Sequence, residues 1–370
     1  MSKLKVLYLY RRPVFQDLKK ASKGKVSHDL FFAYTQLSNK FNKVFTDKIF
    51  SNKLILSVDR LVIKATYPFM KIGFSLFSVI YQLPEIKKAD VLFATTDSFG
   101  MPLLLLKYFR IINKPIVINT GGFFDGFKES KSNIYKKISK LLFSNVSFIV
   151  SGVANECELI AKDLDIPRKR LVFIPYGVDT KYFTPNPPNR HNLDQDLILT
   201  VGADFKRDWI SFKKIANNFP KTKFIIITVP DQLKIRMPSN VEILYNLPLD
   251  EVRSYMRNAL LVVILSNQNY RFAGSSTILR AMSCGKTVIF TESYGVSEQP
   301  FVNHKDAILV PPNNATIVST EIARLINDKS KIREIGKNAR KYVLKNNNYK
   351  DYTLRLEKIF KDSDFDEKIN

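Results

Sequence analysis

Residues 271–291 read RFAGSSTILRAMSCGKTVIFT, a glycine and two serines set between a strand-like apolar run and a helix-like one. That order has chemical content. Gly274 lets a ligand approach the backbone closely, Ser275 or Ser276 can cap the helix, and Gly285 stops it. Free backbone N–H groups and the positive end of the helix dipole then make an anion site. Ser276 and Arg280 are four apart and share a helical face. A guanidinium there can pair with a phosphate through two parallel hydrogen bonds. A serine-capped helix carrying a solvent-exposed arginine has the same local pattern.

Three other stretches carry candidate groups. In VGADFKRDW (201–209), Gly202 closes a strand-like run, and Lys206 and Arg207 supply the charge a diphosphate needs. Asp208 stands beside them, placed to hold the arginine by a salt bridge; a solvated turn reads the same way. In NTGGFFDG (119–126), Gly121 and Gly122 keep a loop free of side chains next to the carboxylate of Asp125. TTDSFG (95–100) is a similar loop with Asp97, and KVSHDLFFAY (25–34) carries His28 and Asp29.

Such loops need a scaffold, and the sequence supplies one. VLYLY (6–10), DVLFAT (90–95), PIVIN (115–119), VSFIVS (146–151) and LVFIP (171–175) alternate with helix-length segments. The same rhythm resumes with LILTVG (197–202), KFIIIT (223–228), VEIL (241–244), LLVVIL (260–265), KTVIF (286–290) and AILV (307–310). Nearly continuous β-branched runs are the mark of parallel strands covered on both faces. The reading is α/β: two doubly wound, Rossmann-like domains, with ligands expected outside the carboxyl ends of the strands. A chain of 370 residues also exceeds what one ordinary core supports. The polar stretch 186–196 reads as the linker between domains at 1–185 and 197–345, and 346–370 as a closing amphipathic helix.

Composition narrows the classes. Two cysteines and three histidines, all scattered, give neither a disulfide framework nor a histidine metal cluster, so no metal is expected and a reducing, cytoplasmic setting fits. The apolar stretch 61–83 is broken by Lys64 and Lys71 and reads as core-packing or surface-lying structure. The net charge of +24 is heavier early: 29 basic residues oppose 14 acidic ones up to Thr180, against 29 and 20 afterwards. That field favours anionic partners such as phosphorylated small molecules or an acidic membrane face. A lysine-rich solvated surface gives the same count. Nucleic acid is not expected, because no recognition signature accompanies the charge.

Several segments resemble glycosyltransferase family four, the group 1 type. IPYGVDTKYFTP (174–185) is similar to the signature that closes the first domain there, and LRAMSCGKTVIFTESYGVSEQ (279–299) to the block ending in a Gly-Glu element, here Gly295 and Glu298. KDAILVPPNN (305–314) is similar to the run that follows. The order and spacing match from about Asp90 to the C-terminus. The resemblance implies a GT-B fold, two Rossmann-like domains facing across a cleft, with a terminal helix crossing back to the first. It implies a nucleotide-diphosphate sugar donor on the second domain, with Gly274, Ser275 and Ser276 at the phosphates and Lys206 and Arg207 near the diphosphate; Gly202, Arg280 and Glu298 are further donor-side candidates from their own chemistry and place. It places the acceptor on the first, beside Gly121 and Gly122, with His28, Asp97 and Asp125 as catalytic candidates. One departure is plain: the family's paired glutamates, eight positions apart, are Phe272 and Arg280 here.

The resulting expectation is a retaining, metal-independent transferase acting on a glycan or lipid-linked acceptor in cell-surface polysaccharide or glycolipid synthesis. Peripheral attachment to the inner membrane face fits the charge. The alternative is a non-catalytic binding protein of the same fold, for which the loss of both glutamates is the support. A sugar-nucleotide epimerase is a third reading.

Overall fold

The computed structural model describes residues 3–185, 197–297 and 299–369; the expected linker at 186–196 lies outside them. The chain divides into two compact units, Met1–Ser22, Leu30–Pro175 and Lys350–Asn370 in one, Lys23–Asp29 and Tyr176–Tyr349 in the other.

In the first unit, β1 (Leu4–Leu9), β2 (Phe41–Phe45), β3 (Val91–Ala94), β4 (Ile116–Asn119), β5 (Phe148–Ser151) and β6 (Leu171–Phe173) form a parallel sheet in the order β2-β1-β3-β4-β5-β6. Strands β3 and β5 are buried along their whole length, which is why they stand out as unbroken apolar runs. The edge strand β2, FNKVF, is absent from the sequence reading because Asn42 and Lys43 interrupt it on a half-exposed rim. The 61–83 stretch forms the end of the helix Lys53–Met70 and the short helix Leu76–Tyr81. Asp59 joins the two, accepting the N–H groups of Phe77 (2.9 Å) and Ser78 (3.0 Å). The last helix, Tyr349–Ile369, also belongs here: Phe360 is fully buried among the rings of Tyr8, Phe41 and Phe93.

The second unit holds β7 (Ile198–Val201), β8 (Phe224–Thr228), β9 (Val241–Tyr245), β10 (Leu261–Ile264), β11 (Val288–Thr291) and β12 (Ile308–Val310), again all parallel. Its core is built from Phe212, Ile215, Phe224, Val263, Ile289 and Ile322 with their neighbours. The order is β12-β11-β10-β7-β8-β9. The chain therefore winds outward from β7 in one direction and from β10 in the other. These two strands pair at Ile198 and Leu261, and the strand order reverses between them, the place where open α/β sheets carry their ligands.

The unit boundary falls at Pro175, earlier than the expected 185. The carbonyl of Phe183 accepts from Ser283 Oγ (2.6 Å) and Arg340 Nη1 (3.0 Å), and that of Thr184 from Arg257 Nε (2.7 Å), so the signature segment is fastened to the second unit. Residues 23–29 join it too. The His28 N–H donates to Asp179 Oδ2 (3.0 Å) and the Tyr182 hydroxyl to the Lys25 carbonyl (3.2 Å). Sequence order alone assigns that loop to the first domain, because a partner 151 residues away leaves no local trace.

Candidate active site

The loops after β7 and β10 are tied together by backbone. Asp208 N–H donates to the Leu265 carbonyl (3.1 Å) and Asn267 N–H to the Lys206 carbonyl (2.7 Å), which sets Arg207 opposite Ser266. The Arg207 side chain is buried, and Nη2 donates to the Val201 carbonyl (2.7 Å). Its Nε and Nη1 have no hydrogen-bond partner among the described residues. A buried guanidinium with two unanswered donors is costly unless an anion completes it. Burial pulls its pKa down to about 10, with Asp204 holding it up in part, so it stays protonated at neutral pH.

Two glycines make room for it. A Cβ on Gly202 would stand 2.2 Å from Nη2, and one on Gly274 3.1 Å from Nη1. Both residues also adopt positive φ, +142° and +83°. Gly274 is the N-cap of the helix Ser275–Ser283, so the serine cap expected from sequence is not made; Ser275 N–H turns back to the Phe272 carbonyl (3.1 Å). Ser276 and Thr277 fall in the first turn, where a helix supplies no acceptor for its own N–H groups. Gly202, Arg207, Gly274, Ser275 and Ser276 thus come together at the strand-order reversal. The arrangement suits a diphosphate, with one fixed cation beside a helix N-terminus.

Charge around this core differs from the sequence reading. Asp208 forms no salt bridge to the arginine; it caps the helix Trp209–Asn218 by accepting Ser211 N–H (2.9 Å). The pairing acid is Asp204, gripped by Arg271 through two bonds of 2.8 Å. Burial opposes its ionisation, but Arg271 outweighs burial and the pKa lies below the ordinary value. Sequence alone does not pair them, since they lie 67 positions apart. The Lys206 ammonium lies over the Phe205 ring (5.7 Å).

Arg280 is buried, and its guanidinium is occupied. Nη2 donates to Asp29 Oδ1 (2.7 Å) and to the Tyr176 hydroxyl (3.0 Å), and Nε to Asp29 Oδ2 (3.2 Å). Burial alone would lower its pKa, yet Asp29 and Tyr176 more than offset this and it lies above the ordinary value. Paired so, it is not presented to a phosphate. The other glutamate position, Phe272, is buried against Phe290 and Phe301, and Phe301 stacks on Tyr342 (4.4 Å). Both departures from the family pattern are built into packing. Glu298 lies outside the described residues.

The acceptor-side candidates separate. Asp97 is buried, and its Oδ2 accepts the N–H groups of Gly121 (2.8 Å) and Phe123 (3.1 Å), so it shapes the glycine loop that Gly121 and Gly122 open. Asp125 is buried within the helix Phe123–Glu129. Those residues belong to the first unit, whereas His28 belongs to the second. His28 Nδ1 is buried with no hydrogen-bond partner among the described residues.

Comparison with known proteins accords with this fold. Residues 211–342 match the family model described as glycosyl transferases group 1. Over 98 residues the chain is 28% identical to an uncharacterized glycosyltransferase of Methanocaldococcus jannaschii, covering 26% of this chain and 25% of that protein. The chain therefore spans about a quarter of the length of that curated relative. Sucrose-phosphate synthase from Thermosynechococcus elongatus superimposes with a TM-score of 0.69 at 15% identity, over 98% of this chain and 99% of that one. Anabaena HepE, solved in complex with UDP-glucose, gives 0.70 at 13% identity over 97% and 100%. Trehalose-6-phosphate synthase OtsA gives 0.66 at 11% identity over 97% and 99%. Two six-stranded parallel sheets in sequence, and a family match confined to the second unit, lead to one statement: the chain has the GT-B fold, and its residues 211–342 match the glycosyl transferases group 1 model.

Proposed function

We propose that this protein transfers a sugar from a nucleoside diphosphate sugar to a hydroxyl of a glycan or lipid-linked acceptor. The observation that carries the reading is Arg207, buried at the strand-order reversal with Nε and Nη1 unanswered beside the N-terminus of the Ser275–Ser283 helix. As the glycosidic bond to the leaving diphosphate breaks, negative charge grows on the phosphate oxygens. Donors fixed beforehand in a low-dielectric pocket stabilise that charge without reorganising. Arg207 and the first-turn N–H groups take this part, with Lys206 as a second cation, so that neutralisation rests on protein groups rather than a metal ion. HepE was solved with UDP and with UDP-glucose, which supports a donor of that class. Retention of anomeric configuration is carried over from the resemblance. His28 is the candidate for the proton at the reacting hydroxyl, whereas Asp97 acts by holding the glycine loop.

Calorimetry with UDP, GDP, ADP and dTDP, followed by turnover with the matching sugar donor, tests this. One nucleotide should bind, and Arg207→Gln should weaken it about tenfold to a hundredfold, the worth of one or two lost charge-assisted hydrogen bonds. His28→Gln should leave that affinity intact and lower turnover, and chelators should change neither. A wild-type protein that binds none of the four would overturn the reading. It would favour a non-catalytic GT-B protein, which the packing of Phe272 and Arg280 at the glutamate positions supports. Product formed without an acceptor would point to an epimerase.

A further inference from the structure

The outer helices of the first unit expose apolar side chains in rows. On the helix Lys53–Met70, Leu54 is 75% exposed, Leu61 68% and Phe69 59%. Positions 54, 61, 65 and 68 recur at helical spacing, so Leu54, Leu61, Ala65 and Pro68 form one stripe along the solvent side. Lys53, Arg60 and Lys64 flank it, all exposed. The helix's one acid, Asp59, is buried and committed to the N–H groups of Phe77 and Ser78.

The helix Asn133–Phe143 repeats the pattern. Tyr135, Ser139, Leu142 and Phe143 face inward. Ile134, Ile138 and Leu141 face solvent, Ile134 at 73%, beside Lys136, Lys137 and Lys140, and this helix has no acidic residue. The end of the first helix meets the start of the second. The Tyr135 hydroxyl reaches the Met70 carbonyl (3.4 Å), and the helices Leu76–Tyr81 and Asp97–Tyr108 pack in series between them. Phe77, Ile80 and Phe109 are exposed on those intervening segments. Scattered exposed leucines need no explanation, but rows on two helices of one unit that meet at their ends, edged by lysine and without surface acid on either, are a patch with a purpose.

We propose that this face, formed by the helices 53–70 and 133–143, is a docking surface for an anionic lipid bilayer. The charge decides the occupant. Apolar side chains entering the headgroup boundary while lysines and an arginine stay at phosphate level is the arrangement of an interfacial helix. A second copy of this chain would instead meet the same basic rim and be repelled. No described helix is long and apolar enough to cross a membrane, so the contact lies on the surface. The inference does not depend on the nucleotide site, which belongs to the other unit.

Sedimentation of the full chain with phosphatidylcholine vesicles, with and without phosphatidylglycerol, tests it. The protein should pellet with the anionic vesicles and stay in the supernatant with the neutral ones. Lys136→Gln/Lys137→Gln/Lys140→Gln should reduce partitioning on the order of a hundredfold, about fivefold per charge. Leu54→Ser/Leu61→Ser/Phe69→Ser should reduce it at least tenfold, because apolar area no longer leaves water. These side chains are exposed, so circular dichroism and thermal midpoint should stay at wild-type values. Wild-type protein that ignores phosphatidylglycerol overturns the proposal, as does full vesicle binding by both folded variants. So does a concentration-dependent dimer abolished by the apolar triple variant in a protein that does not bind lipid, which would assign the face to a second copy.

Discussion

Arg280 occupies a position where the family it resembles carries an acid, and the structure supplies the physical reason the arginine persists. Its partner Asp29 has a fully buried side chain, and a buried carboxylate without a cation is among the most expensive features a fold can hold. The pair is best regarded as one unit with the charges disposed opposite to expectation. Arg280→Met should therefore cost about 3–5 kcal/mol, since Asp29 is left uncompensated, and Asp29→Asn added to it should recover part of the loss. Arg280→Glu, which restores the family residue, should be worse than methionine because two carboxylates would then share the site. Denaturant melts of the four proteins check this; a double variant no more stable than Arg280→Met would contradict it. That Gly274, Ser275, Ser276 and Arg207 belong together is legible in spacing and charge, and the fold brings them to one place. The fate of Arg280 was hidden, because its partner is 251 residues away and only the folded chain brings Asp29 to it.

At the scale of elements, the loop between β10 and the Ser275–Ser283 helix has to be held still for Gly274 to meet Arg207. Gly295, in the loop after β11, supports it from behind. Its N–H donates to the Asn269 carbonyl (3.2 Å), and a Cβ there would fall 2.1 Å from the Arg271 carbonyl. The contact is with backbone, so no flexible side chain can swing aside. Gly295→Ala should displace the 269–274 segment and with it the Arg271–Asp204 pair, weakening nucleoside diphosphate binding severalfold or more. Calorimetry reads the affinity, and a thermal melt separates that loss from simple unfolding. Unchanged affinity in a folded variant would mean the loop is positioned by other contacts. The parallel strands behind these loops could be read directly, because full burial writes itself as unbroken apolar runs. Half-exposed β2 was not legible for the converse reason, with Asn42 and Lys43 on a rim that the apolar pattern does not mark.

At the scale of the whole molecule, the order of the chain and the order of the cores differ. The first unit is opened by β1 and completed by the last helix, whose Phe360 fills a space lined by Tyr8, Phe41 and Phe93, while the second unit is made entirely from residues in between. A tail with apolar residues at helical spacing announced a helix; which core it completes follows from the ring contacts. Each unit has its own sheet, so a defect at Phe360 belongs to the first. Phe360→Ala removes a fully buried ring and should destabilise that unit by about 3–5 kcal/mol. Hydrogen exchange should accelerate in β1 and β3, the strands carrying Tyr8 and Phe93, and stay slow in β7 and β10. The nucleoside diphosphate site proposed at Arg207 and the Ser275–Ser283 helix lies in the other unit, so affinity there should be retained by the same variant. Equal acceleration in both sheets would mean that the chain opens as a single cooperative body, and the division into two units would then describe packing without describing stability.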